Sequence, residues 1–432
     1  MMRFLIAVLL ALVQDPPKEP GKEPPKEAPK PAETKKAVYT ALLGGDVYTV
    51  TKGVLKNGTV LLKDDKIHRV GASVDLPEGT TRIDVTGKRV LPGFVAVNAR
   101  GLAVHPASGK VADALDPFSE SVKLALAGGV TSAHVELGGG GGFFGGAPAS
   151  GGGSAVVKMT YGTLEGMVLL EPASGSLGAW ITGGPSDRFE IRENFQKARE
   201  HVEKERDFDR RRAENRLKPN EAPPRALPAI DPYVKYLKGE QIARFPSGDA
   251  DQIKRALELV NDFKFKAVLT NVVEGWTLPE EIGRARAYCT MTVRTKVHAD
   301  RDRSGPSGSS IEQAAILRKS GVKFGIISIT QNVSTGGVAG RDLLNLPLEA
   351  AFAIRGGLDE QTALESITIT AAEICGVDTR VGSIEEGKDA DLVVLDGDPF
   401  DYRTFVDLTF VNGKLLYDKA KSPYFSHLKT GK

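Results

Sequence analysis

From residue 37 onward, short apolar runs alternate with turn residues, a pattern that predicts β-strands. The runs are Tyr39–Leu43, Val47–Thr51, Gly58–Leu62, Ile67–Val70 and Thr81–Val85, with Gly44-Gly45, Asn57-Gly58, Asp64-Asp65 and Gly87 as turns. In Arg89–Arg100, Pro92-Gly93 leads into the apolar run Phe94–Val97, which ends in polar residues. Such a run predicts a buried parallel strand delivering side chains to a pocket at its C-terminal end. Helical and strand patterns then alternate. Helices are predicted over Ser119–Ala127, Asp251–Val260, Ile311–Lys319 and Gln361–Ile369, and strands over Val130–Val135, Ala267–Val273 and Val322–Ile329. That alternation is what a TIM (β/α)8 barrel requires. Strand patterns return at Asp389–Leu395, Asp407–Val411 and Lys414–Tyr417, around the tight turn Asn412-Gly413.

Three segments fall outside this alternation. Met1–Arg3 followed by the apolar Phe4–Val13 reads as a signal peptide over residues 1–14. It is too short to span a bilayer as a mature helix, and it predicts export to the periplasm or outside the cell. Residues 15–36 form a Pro/Lys/Glu tract with little to bury, which predicts a semi-extended linker. Ser186–Arg216 is dense in both charges, and Pro-rich Lys218–Pro228 follows it. We read residues 187–228 as a charged helical insertion outside the barrel, either a solvated face or a partner-binding scaffold. Gly138–Gly153 reads as a loop over the barrel mouth. A phosphate cradle there would call for a Gly-Lys-Ser/Thr ending, which is missing.

Composition narrows the partners. With 57 Lys and Arg against 55 Asp and Glu, the formal charge of +2 implies no nucleic acid. Cys289 and Cys375 have no metal-ligand spacing and read as two buried free thiols.

Leu91-Pro-Gly-Phe94 and the C-terminal run Arg380–Pro399 resemble the amidohydrolase superfamily, particularly its imidazolonepropionase-like members. The resemblance runs from about Ala37 to Asp418. It implies a TIM barrel over residues 91–379 beside a composite β-sandwich built from residues 37–90 and 380–420. It also implies hydrolysis of carbon–nitrogen bonds in cyclic amides or dipeptide-like substrates, with Zn or another divalent metal held by His and Asp at the strand ends. In this chain those places carry other residues. Asn98 and Arg100 stand where the family has His-x-His. Pro246 follows Gly239-Glu240 where a His is expected, and Asn271 precedes Glu274-Gly275-Trp276 at another His place. Ile329 falls at the late Asp. Asn is a poor zinc ligand and Arg repels a cation, so no metal cofactor is expected here. The resemblance also makes Ala155–Lys158 a strand and Lys158 a pocket candidate, set against an ordinary solvated lysine.

The six histidines are His68, His105, His134, His201, His298 and His427. A substitute metal site would draw on His105, His134, Glu136, His298 and Asp300. Three function readings follow. The first is a degenerate amidohydrolase whose pocket, lined by Asn98, Arg100, Pro246, Asn271 and Ile329, still binds a small molecule, alone or paired with an active relative. The second is a working hydrolase with a rearranged site using Lys158, Glu274, His134 or His298. The third is a scaffold acting through the charged insertion. None needs a membrane span.

Overall fold

The computed structural model describes residues 37–105, 109–137, 153–333 and 341–422. The predicted signal peptide, the Pro/Lys/Glu linker, His427 and nearly all of the Gly-rich run lie outside the described residues.

The N-terminal flank folds into β1 (Tyr39–Tyr48), β2 (Val54–Lys63), β3 (Lys66–Gly71), β4 (Thr81–Asp84) and β5 (Arg89–Pro92). Two predicted runs fuse into β1. Gly44, at φ +79°, makes a bulge there rather than a turn, and the β1–β2 register shifts on both sides of Gly45. β1 pairs antiparallel with β2, parallel with β4 through Thr40–Leu43, and parallel with β5 through Asp46 and Val47.

The predicted strand Phe94–Val97 lies within β6 (Phe94–Ala99), and a further strand, β5, precedes it. Gly93 separates the two, and a Cβ on Gly93 would lie 2.0 Å from the Thr131 hydroxyl. Only glycine lets the backbone pass there from one sheet to the next. β6 runs parallel to β7 (Val130–Glu136), while β8 (Ser154–Lys158) and β9 (Val168–Leu170) follow antiparallel. A second sheet is wholly parallel: β10 (Ser174–Ser176), β11 (Ile242–Pro246), β12 (Ala267–Thr270), β13 (Tyr288–Met291) and β14 (Phe324–Ile326).

Helices connect these strands: α1 (Glu120–Ala127), α2 (Gly178–Thr182), α3 (Pro185–Ala213), α4 (Asp231–Lys238), α5 (Ala250–Phe263), α6 (Pro279–Ala285) and α7 (Gln313–Lys319). α8 (Leu346–Arg355), α9 (Glu360–Ser366) and α10 (Ile369–Cys375) follow β14. α5 shows why they start where they do: Asp249 accepts from the Gln252 amide at 2.8 Å, and Gln252 reaches back to close a capping box.

The two sheets approach each other at both edges. The Ala173 amide donates to the Ser154 carbonyl at 3.0 Å, and a Cβ on Gly325 would come within 3.0 Å of Val97. Val95, Val97, Val156, Ile242, Val268 and Ile327 pack together with Ile374 and Cys375 of α10. The result is a mixed α/β body in which β8 departs from an all-parallel order.

The chain then returns to the first sheet as β15 (Leu392–Leu395), β16 (Val406–Val411) and β17 (Lys414–Asp418). β15 pairs antiparallel with β5, giving the order β17-β16-β15-β5-β1-β2-β3 with β4 on β1. The flanks therefore share one eight-stranded sheet rather than two facing sheets. The sheet curls, since the Ile67 amide donates to the Lys388 carbonyl at 2.9 Å, and Leu42, Val60, Val90, Leu392, Val394 and Phe410 form its core.

α3 corrects the picture of a solvated insertion. Its surface is charged, but Ile191, Phe195, Ala198, His201, Val202 and Phe208 are buried. Phe195 stacks on Phe263 and Phe265, with centroids 4.9 and 4.8 Å away, and meets Tyr233 edge-on at 4.9 Å. Charge density hides this stripe because apolar residues recur only once per turn or less. Both cysteines are buried and free. Among the described residues, no helix is long and apolar enough to cross a membrane.

Candidate functional site

The expected site positions stand at or just beyond the C-terminal ends of parallel strands. β6 supplies half-buried Asn98 and, just beyond its end, exposed Arg100; β7 supplies Glu136; β11 supplies Pro246; Asn271 follows β12. Residues 328–331 follow β14 by a few positions, with Ile329 half-buried.

Alternation along β11 puts Ile242, Arg244 and Pro246 on one side. Ile242 belongs to the cluster that includes Val95 and Val97, so Arg244 faces inward one step below the strand end. Its residue exposure is only 3%. Through Nη2 it donates to the Val97 carbonyl at 3.1 Å and to Asn98 Oδ1, and its Nε lies 3.7 Å from Glu136 Oε1. Nη1 has no hydrogen-bond partner among the described residues.

Asn271 adopts φ +57°, a conformation Asn tolerates better than most residues. Its Oδ1 accepts from Gln331 Nε2 at 2.9 Å, and its amide donates to Thr290 Oγ1 at 3.2 Å. The Gln331 carbonyl in turn accepts from the Arg100 amide at 2.5 Å. Two polar groups thus stand near these strand ends, Arg244 with Asn98, and Arg100 with Gln331 and Asn271. Sequence reasoning passed over Arg244 and Gln331. A lone arginine on the same face as Pro246, inside an otherwise apolar strand, is the signal that was there to read.

Among the described residues, those named at these strand ends do not make the donor set of a catalytic metal. Such an ion needs three or four donor side chains and an open position for water. Pro246 and Ile329 donate nothing, and the Asn98 oxygen already accepts from a guanidinium. Among the described residues, no three His, Cys, Asp or Glu side chains are grouped to hold a metal ion. The five residues of the substitute site do not converge. His105 is exposed and paired with Asp116 at 3.3 Å, and His298 and Asp300 are exposed in the loop after β13.

His134 is buried, its Nε2 2.8 Å from Ser174 Oγ. Desolvation first, and then the Arg244 charge, push its pKa well below the ordinary value and keep the ring neutral. Glu274 is a structural carboxylate. It accepts from the Gly308 amide at 2.7 Å, the Ala250 amide at 2.9 Å and Arg303 Nη1 at 2.9 Å. Burial alone would raise its pKa, but those donors outweigh it and the net shift is downward.

Lys158 is neither a pocket residue nor a solvated lysine. Because β8 runs antiparallel, Lys158 stands opposite Ser132, toward the start of β7 and away from those strand ends. Its side chain is fully buried, with Nζ 2.6 Å from Asp389 Oδ2, 3.1 Å from Asp391 Oδ1 and 2.5 Å from Asn412 Oδ1. Asp389 also binds Lys66 and, at 2.7 Å, Arg380.

The model of the amidohydrolase family matches residues 274–416. Over 67 residues the chain is 40% identical to the imidazolonepropionase of Thermoplasma volcanium. The chain therefore carries an amidohydrolase-family segment over residues 274–416. That curated match covers 14% of the chain and 17% of the relative's length. An amidohydrolase from Thermotoga maritima superposes with a TM-score of 0.65 at 24% identity, covering 88% of this chain and all of that one. Molinate hydrolase gives a TM-score of 0.52 at 19% identity, covering 91% of this chain and 98% of that one. A prolidase complexed with N-methylphosphonate-L-proline gives 0.50 at 19%, covering 88% of this chain and all of that one. These three likenesses are of fold. Asn98, Arg100, Pro246 and Asn271 all precede the segment that the amidohydrolase model matches.

Proposed function

We propose that this protein descends from amidohydrolase-superfamily hydrolases of carbon–nitrogen bonds and keeps the C-terminal ends of its strands as a small-molecule binding site, its metal-dependent chemistry lost. The observation that carries this reading is the Arg244–Asn98 contact. A fixed positive charge bonds to the first oxygen that a metal at this end of β6 would need, and a guanidinium does not lose its proton to make room. The two central sheets, edge to edge at Ser154 and at Val97, are read as the two arcs of a TIM barrel with one reversed strand. Export is part of the same proposal, and it rests on residues 1–14.

The test is elemental analysis of protein purified without chelator, together with lactam and dipeptide substrates supplied with zinc or manganese. No bound metal and no turnover are expected. Asn98→His alone restores neither, because Arg244, Pro246 and Ile329 remain. Stoichiometric metal with chelator-sensitive turnover overturns the reading.

A further inference from the structure

We propose that Lys158 attacks the side-chain amide of Asn412 and forms an intramolecular isopeptide bond, tying β8 to the turn between β16 and β17. The groups such a reaction needs are assembled away from the candidate site: an amine, an amide and a carboxyl to carry the proton. Lys158 is fully buried, and its Nζ lies 2.5 Å from Asn412 Oδ1 and 2.9 Å from Asp391 Oδ2. Asp391 Oδ1 also accepts from the Asn412 backbone amide at 2.8 Å, so one carboxyl sits against both partners. The amide carbon stands one C=O bond, about 1.2 Å, beyond Oδ1. Nζ is therefore within roughly 3.7 Å of the carbon it must reach, close to the near-attack range of about 3–3.5 Å.

The surrounding charges favour a neutral amine. Asp389 Oδ2 also lies 2.6 Å from Nζ, but Asp389 is already paired with Lys66 and Arg380. Asp391 has Lys158 alone, and burial pushes its carboxyl up. Passing the Lys158 proton to Asp391 removes two buried charges at once, sparing their desolvation cost. The amine then adds to Asn412 Cγ, and the bond from Cγ to Nδ2 breaks. Nδ2 leaves as ammonia with the proton that Asp391 held, and the new amide nitrogen returns one proton to Asp391. One ammonia is lost, and no oxidant or cofactor enters. Asn-Gly pairs ordinarily lose this ammonia through attack by the glycine nitrogen. Here the Gly413 amide donates to the Ala390 carbonyl at 2.9 Å, which holds it away from that reaction. Nδ2 faces exposed Gly166, where a Cβ would come within 3.2 Å of it, so the ammonia leaves toward solvent. The ion-paired cluster is the chain before reaction, and its ion-pair energetics belong to the unlinked protein.

The test is peptide mapping of the folded full chain by mass spectrometry, followed over time. Trypsin should fail to cut after Lys158. The peptide Thr404–Lys414 should appear joined to the peptide that holds Lys158, the pair lighter than the sum of its parts by one ammonia. Asn412→Ala should lose the link and restore cutting after Lys158. Asp391→Asn removes the proton carrier and should lower the linked fraction at a fixed time at least tenfold, since general acid–base help contributes about 10²–10⁴-fold.

Complete cutting after Lys158 in the wild type, with Asn412 either intact or converted to aspartate, overturns the proposal. So does a link to Lys158 in Asn412→Ala, or wild-type linkage in Asp391→Asn. If a variant does not fold, the wild-type map decides alone. None of these outcomes depends on the pocket-binding reading, which the metal and substrate measurements test separately.

Discussion

Lys158 shows how far a single side chain departs from what its neighbours in sequence suggest. It ends an apolar strand, yet it is fully buried among Asp389, Asp391 and Asn412. Lys158→Met should destabilise the unlinked protein by about 3–5 kcal/mol, because buried Asp391 loses its counter-charge while Asp389 keeps Lys66 and Arg380. The double variant with Asp391→Asn should recover part of that loss, since Asp389 still pairs with Lys66 and Arg380, and urea denaturation of the two variants measures it. His134 gives a pH signature. Its folded pKa is depressed by burial and then by Arg244, while the unfolded ring titrates near 6.5. The unfolded state therefore binds the proton first as pH falls. Stability is complete above about 6.5 and declines below it, by at most about 1.4 kcal/mol per pH unit. In His134→Gln this acid limb should flatten, as read from denaturation midpoints between about pH 5 and 7. At this scale the sequence disclosed which residues stand at the strand ends, because Asn98, Arg100 and Asn271 follow recognisable leads. It concealed Lys158, since an apolar run carries no sign of strand direction, and direction alone decides which end a terminal side chain reaches.

Among the elements, α3 most changes the reading of the chain. Its 29 residues are so charged that the sequence suggests a helix standing in water. Its sparse apolar positions nonetheless build an aromatic stack with α4, α5 and Phe265. Phe195→Ala should cost about 3–5 kcal/mol in denaturant unfolding, as expected for a buried aromatic. Phe189→Ala, on the same helix but 72% exposed, should change stability by less than about 0.5 kcal/mol. Equal effects would mean that the helix does not pack through the Phe195 face. Removing residues 187–228 would therefore bare the underlying aromatics as well as delete a charged surface, so loss of solubility in that deletion says nothing about a partner. Strand patterns in the flanks were easier to read, because alternation and Asn-Gly or Asp-Asp turns are local signals. The fusion of two runs into β1 was hidden, since a Gly-Gly pair serves a bulge as readily as a turn.

Taken whole, the molecule is held together by pairings between distant parts of the chain. β5 lies between β1 and β15, and Lys158 of the central body is neutralised by the segment leading into β15. Truncation before Arg380 should therefore give insoluble protein, or a chain melting well below the full-length protein by calorimetry; equal melting temperatures would show that the flanks fold independently. The family resemblance foretold that the two flanks combine. It implied a β-sandwich where the flanks form one curled sheet, because register between strands far apart in sequence leaves no trace in either strand alone. The same arrangement has a consequence for synthesis. Asp391 follows Lys158 by 233 residues, so a ribosome finishes β8 long before it makes the aspartates that neutralise the lysine. Until then the emerging β8 holds an ammonium group whose burial nothing yet compensates, and β5 offers an open edge. A chain that stops before residue 389 has neither aspartate to face Lys158 and no β15 to cover β5.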